Sequence, residues 1–215
     1  MRVTLAADAS AAAQVAAGHL AQCIRARIKS AGCSVIALSG GRTPLAMLQQ
    51  LAMLELPWSA LHVMQTDERI APHGDAQRNL TLIEQTLVER GPLPHLNLHP
   101  MPVEAADLTT AATDYQGLLE SLCGSPAVLD VVHLGIGADG HTASLVPGDE
   151  LLAVSTRDVG VSVPYEGFRR MTLTVPAINR SRNILWLIAG ADKAPRVAEL
   201  VHGVGATPAL RIARE

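Results

Sequence analysis

Short apolar runs in this chain repeatedly break off into glycine or charge and then into a helical pattern, and that alternation constrains its fold most. Ser34-Val-Ile-Ala-Leu38 ends in Ser39-Gly40-Gly41, and Leu61-His-Val-Met-Gln65 ends in Thr66-Asp67-Glu68-Arg69. Ala127-Val-Leu-Asp-Val-Val132 leads into a glycine-rich stretch, and Asn183-Ile-Leu-Trp-Leu-Ile-Ala189 leads into Gly190-Ala-Asp-Lys193. Helical patterns are predicted over 8–30, 45–55, 79–90, 108–122 and from Lys193 to about His202. Val3–Ala6 and Leu96–His99 are expected to be short strands, and Arg170–Val175 alternates polar and apolar residues as an antiparallel or edge strand does. Strands alternating with helices imply an α/β fold: three layers, a mainly parallel sheet with helices on both faces. No composition break, repeat or low-complexity tract interrupts the 215 residues, which are expected to form one domain spanning 1–215.

Charge and composition narrow the partners. The net charge is -3, with one Phe, two Tyr and two Trp. There is neither the basic stripe nor the aromatic platform that a nucleic-acid partner requires. Residues 9–24 are Ala-rich, but Gln14, His19 and Gln22 interrupt them. That stretch is too short and polar to span a bilayer, and it lacks the parts of a signal peptide. Three widely spaced cysteines give no disulfide framework or zinc knuckle, so a cytoplasmic setting is expected. Nothing in the sequence fixes the oligomeric state.

Ser39-Gly40-Gly41-x-Thr43 lies between a strand and a helix N-terminus, with Pro44 at the expected first helical position. Free backbone N–H groups, the helix dipole and two hydroxyls suit a phosphate there, although a merely tight connection has the same appearance. The spacing is not that of a Walker A loop. Asp67 and Arg69 lie at a strand's carboxyl end, where open α/β sheets collect ligands, but such charge runs are also commonly solvated loops. In the functional reading Arg69 polarises or binds an anion, and Asp67 orients substrate hydroxyls or water. Arg170 and Lys193 are cations that a phosphate at Ser39–Thr43 would want nearby.

His133-Leu-Gly-Ile-Gly-Ala-Asp-Gly-His-Thr-Ala-Ser-Leu-Val-Pro-Gly148 carries the most chemistry. Gly135-x-Gly137-x-x-Gly140 matches the dinucleotide fingerprint letter for letter. That motif needs a long helix after its third glycine, and Pro147-Gly148 halts any helix within about two turns. The same glycines leave Asp139 and His141 at a strand exit, where a neutral imidazole can act as general base toward water. His133 and His141 are not spaced as a metal pair, so no metal and no cofactor is expected. His133 is expected to be buried in or beside its strand.

Taken together, Leu38-Ser-Gly-Gly-Arg-Thr-Pro44, Asp67-Glu-Arg69 with Asn79, Gly135-Ile-Gly-Ala-Asp-Gly-His-Thr-Ala-Ser144, Arg170-Met-Thr-Leu173 and Gly190-x-x-Lys193-Ala194 resemble the 6-phosphogluconolactonase family. The resemblance implies a fold shared with glucosamine-6-phosphate deaminases and ribose-5-phosphate isomerases. It implies metal-independent hydrolysis of 6-phospho-D-glucono-1,5-lactone to 6-phospho-D-gluconate, a step of the pentose phosphate pathway. By it, His141 is the base, Asp139 supports it, and Arg69 positions or polarises the lactone. Ser39, Gly40, Gly41, Thr43, Arg170 and Lys193 hold the 6-phosphate.

The nearest competitor is a deaminase, which places a carboxylate just before the proline of the His segment, where this chain has Val146. A third reading is a non-catalytic phosphosugar-binding domain. Three features depart from the lactonase pattern. Arg78 replaces a small Ser, which predicts an extra cation in the pocket or in solvent. Val146 replaces a Phe. The chain ends at Glu215, where relatives typically continue through another strand and a helix, so one sheet edge is expected to be less closed.

Overall fold

The computed structural model describes residues 1–212. Its centre is a parallel sheet of five strands: β1 (Ser34–Leu38), β2 (Leu61–Gln65), β4 (Leu98–His99), β5 (Val131–Leu134) and β8 (Ile184–Trp186), in the order β4-β2-β1-β5-β8. Every residue of β1 and β5 is buried, as expected of central parallel strands covered on both faces. Side chains alternate between the faces. Ile36 and Leu38 join one core with α1 (Ala9–Ala31) and α2 (Arg42–Ala52), together with Leu80, Ile83 and Leu87. Val35 and Ala37 join the other with α4 (Leu108–Cys123), through Ala111, Ala112, Tyr115 and Leu119.

Local chemistry sets the helix ends. Asp8 accepts from the Ala11 N–H at 2.8 Å to start α1, and Gly32, at φ 82°, closes it with a 2.8 Å bond to the Ile28 carbonyl. Helix α2 begins three residues before the expected Leu45, so Pro44 stands within the first turn, where its missing N–H is harmless. α3 (Asn79–Ile83) continues as a wider π-type segment, Glu84–Glu89.

A second, antiparallel sheet contains the strand expected from Arg170, but as its middle strand, and two other expectations are corrected. Asp67–Arg69 is not a charged loop but strand β3, paired with β7 (Arg170–Leu173), which pairs in turn with β6 (Val159–Val161). β7 is therefore the middle strand, and all four of its residues are buried. Val3–Ala6 forms no strand. Val3 and Leu5 are 52% and 92% exposed, and without a neighbouring strand their β-propensity has nothing to pack against.

The register positions the site. Ser34 to Leu38 pair with Leu61 to Gln65, and Ile36 and Ala37 pair with Val131 and Val132. The carboxyl ends of β1, β2 and β5 therefore lie along one edge of the sheet. β1 separates β2 from β5, and the crevice outside such a switch point is where doubly wound sheets bind ligands.

Candidate active site

An open cleft of about 350 Å³ occupies that edge. Its walls include Ser39, Gly40, Gly41 and Thr43 after β1, Asp67 and Arg69 on β3, His141 after β5, Arg170 on β7 and Lys193 before the helix Ala194–His202. Nine of the ten residues singled out from the sequence thus line one space. The tenth, Asp139, stands behind His141 and is bonded to it.

The β1 turn is shaped by close approach. A Cβ at Gly40 would overlap Asn79 Oδ1 and lie 2.7 Å from Asn79 Cα, so only glycine fits. Gly41, at φ 112°, sits at the N-cap of α2 and provides no side-chain cap, which leaves first-turn amides available to an anion beside the cleft. Beneath them, Ser39 Oγ lies 3.1 Å from Nδ1 of the fully buried His133. Burial pulls that imidazole down to about 4, so it is neutral in ordinary buffers.

The His141 turn is equally tight. Gly137 N–H donates to the His141 carbonyl at 2.9 Å, and Gly140 N–H donates to the Gly137 carbonyl at 3.0 Å. A side chain at Gly137 would overlap His141 Nδ1 and Cε1. The glycines that imitate a dinucleotide fingerprint here make room for an imidazole. Asp139 Oδ1 receives both the His141 N–H, at 3.1 Å, and Nδ1, at 2.7 Å. Burial alone would raise the Asp139 pKa, but the His141 hydrogen bonds, the adjacent ring's charge and the Tyr165 hydroxyl hold it below the usual range. An ionised carboxylate only accepts, so in the neutral ring the proton sits on Nδ1 and the Nε2 lone pair is free. Nε2 bonds to no protein atom among the described residues.

Asp67 joins three segments around the cleft. Its Oδ2 accepts from Ser144 Oγ at 2.6 Å, and its Oδ1 accepts from Asn79 Nδ2 at 3.1 Å and Thr66 Oγ1 at 3.2 Å. Arg69 donates to the Gln77 carbonyl while facing the cleft. Arg170 is 4% exposed, pairs with Glu166 at 3.3 Å, and keeps a buried Nε with no hydrogen-bond partner. A buried donor left unmade costs about 1–3 kcal/mol. Lys193 Nζ lies 3.2 Å from the exposed Asp192 carboxylate, a contact that solvent screens.

Arg78 corrects an expectation. It reaches neither pocket nor solvent, because its side chain is buried 3.3 Å from the equally buried Glu68 carboxylate and 3.3 Å from Glu104. Glu68 accepts from the amides of Arg69, Asn79 and Leu80 at the start of α3, and a carboxylate that deep requires a cation. Sequence reasoning also passed over Tyr165 and Glu166, which contact Asp139 and Arg170 from the turn between β6 and β7. A Glu-Gly pair between alternating segments marks such a hairpin, but nothing local reveals what its tip touches.

The chain is similar to known proteins over nearly its whole length. The profile of the family described as glucosamine-6-phosphate isomerases/6-phosphogluconolactonase matches residues 7–215. A 6-phosphogluconolactonase of Synechocystis is 37% identical over 186 residues, covering 83% of this chain and 77% of that protein. The crystal structure of 6-phosphogluconolactonase from Thermotoga maritima superposes with a TM-score of 0.84 at 27% identity, covering 94% of this chain and 91% of that one. A monomeric glucosamine-6-phosphate deaminase shares the fold, with a TM-score of 0.85 at 23% identity, over 98% of this chain and 92% of that one. With a profile match over nearly its whole length, the chain belongs to the glucosamine-6-phosphate isomerase/6-phosphogluconolactonase family.

Proposed function

We propose that this protein hydrolyses 6-phospho-D-glucono-1,5-lactone to 6-phospho-D-gluconate, with His141 as general base. The observation that carries the reading is the Asp139–His141 pair, 2.7 Å apart, with the imidazole in the same cleft as Arg170, Lys193 and the open start of α2. The 6-phosphate binds at Ser39, Gly40, Gly41 and Thr43 with Arg170 and Lys193, and its binding energy holds the lactone carbonyl before His141. Nε2 takes a proton from water as the oxygen attacks C1. Arg69 faces the oxyanion that develops on the carbonyl oxygen. The C1–O5 bond then breaks, the imidazolium returns its proton to O5, and the new carboxylic acid ionises. General-base assistance of this kind contributes roughly 10²–10⁴-fold.

Asp67 holds the cleft wall through Ser144 and Asn79, and so fixes the His141 turn against β3. The position before Pro147, Val146, is buried and apolar, so it provides no carboxylate to shuttle protons as a deaminase would need. The setting proposed is the cytoplasm and the pentose phosphate pathway, with one domain over 1–215. Adding purified protein to freshly generated lactone tests the activity: accelerated acid release supports it, and the uncatalysed rate with normal folding refutes it. Ammonia release from glucosamine 6-phosphate would select the deaminase reading instead.

A further inference from the structure

Tyr165 does not line the cleft, yet it touches both of its working ends. Tyr165 and Phe168 exchange backbone hydrogen bonds of 2.8 and 3.1 Å, and Glu166 and Gly167 between them take φ values of 49° and 82°. A two-residue turn with both φ positive matches the twist of its strands, so the tip of the β6–β7 hairpin is a well-defined arm. From it the Tyr165 hydroxyl donates to Asp139 Oδ2 at 2.9 Å and lies 3.4 Å from His141 Nδ1. The ring meets His141 edge-on, with centroids 5.3 Å apart, and the Arg170 guanidinium lies 5.1 Å from its centre.

The two carboxylate oxygens of Asp139 are thereby divided. Oδ1 takes the imidazole and Oδ2 takes the phenol, so the group cannot rotate without losing a charge-assisted bond. Desolvation and the neighbouring Asp139 carboxylate push the phenol up to about 12, so it remains a donor across the physiological range. We propose that Tyr165 is a positioning residue for lactone hydrolysis: its hydroxyl pins Asp139, which keeps the His141 proton on Nδ1 and leaves Nε2 free for water. The catalytic half of this inference rests on His141 being the base, as proposed above.

Tyr165→Phe removes the hydroxyl and keeps the ring against His141 and Arg170. In the wild type, ¹⁵N spectra of the neutral ring should show a protonated Nδ1 and an unprotonated Nε2. In the variant the two signals should move toward each other as the tautomers mix. kcat should fall about ten-fold, the lower end of what loss of an orienting partner brings, while KM holds. Tyr165→Leu, which also removes the ring beside Arg170, should raise KM as well. Unchanged ring signals in Tyr165→Phe overturn the proposal, whatever happens to the rate, and so does an unchanged kcat. The spectra need no substrate. If the wild type proves inactive on the lactone, the general-base reading falls, and the tautomer shift alone decides whether Tyr165 positions the ring.

Discussion

The ring of His141 fills the volume that any side chain at Gly137 would need, with the ring nitrogen Nδ1 nearest. A methyl group there cannot be absorbed, because the Gly137 amide also holds the His141 carbonyl at 2.9 Å. Gly137→Ala should therefore swing the imidazole out of line, and a misplacement of about 1 Å can lower the rate by about 10²-fold. Steady-state kinetics should show that loss in kcat, with the proposed phosphate site still folded and KM little changed.

Cationic residues at the other end of the cleft should act on affinity. Arg170→Ala removes a buried donor set and Lys193→Ala a half-buried one. A hydrogen bond to a charged group contributes about 1.5–3 kcal/mol, so loss of Arg170 should weaken 6-phosphogluconate binding by roughly 10–150-fold. Lys193→Ala should weaken it less. Calorimetric titration of both variants checks the order; unchanged affinity in both would remove them from the phosphate site.

His133 should make stability depend on pH. The unfolded chain takes up a proton near 6.5, whereas the folded chain resists until about 4. The unfolded state thus binds more protons between these values, and stability falls as pH drops through that window, by about 3 kcal/mol in all. Above the window the contribution is fully present. Urea unfolding between pH 7.5 and 4 should show a steeper acid loss for the wild type than for His133→Gln.

Glu68 and Arg78 form a buried pair whose halves should not be separable. Arg78→Met strands a fully buried carboxylate and should cost about 3–5 kcal/mol. Adding Glu68→Gln removes the stranded charge, so the double variant should be more stable than Arg78→Met alone. Denaturant midpoints of the single and double variants test this coupling.

The parallel core was legible because its strands are continuous apolar runs bounded by glycine and charge, as β1 and β5 illustrate. The antiparallel sheet was less so. Asp67-Glu68-Arg69 has the composition of a solvated loop, and it becomes a strand only because β7 offers a partner more than a hundred residues away. Val3–Ala6 shows the converse, since strand-like residues without a partner remain exposed. At the site, local motifs marked the residues that line the cleft, because glycine turns and strand exits announce themselves in sequence. What holds those residues was hidden. The links from Ser144 to Asp67, His133 to Ser39 and Tyr165 to Asp139 join distant segments, and no local pattern encodes them.

In the proposed mechanism His141 takes the proton from water. His141→Ala, assayed on freshly generated 6-phosphoglucono-1,5-lactone beside a 6-phosphogluconate titration, tests it most directly. kcat should fall by about 10²–10⁴-fold with binding retained. Full turnover in that variant would contradict it.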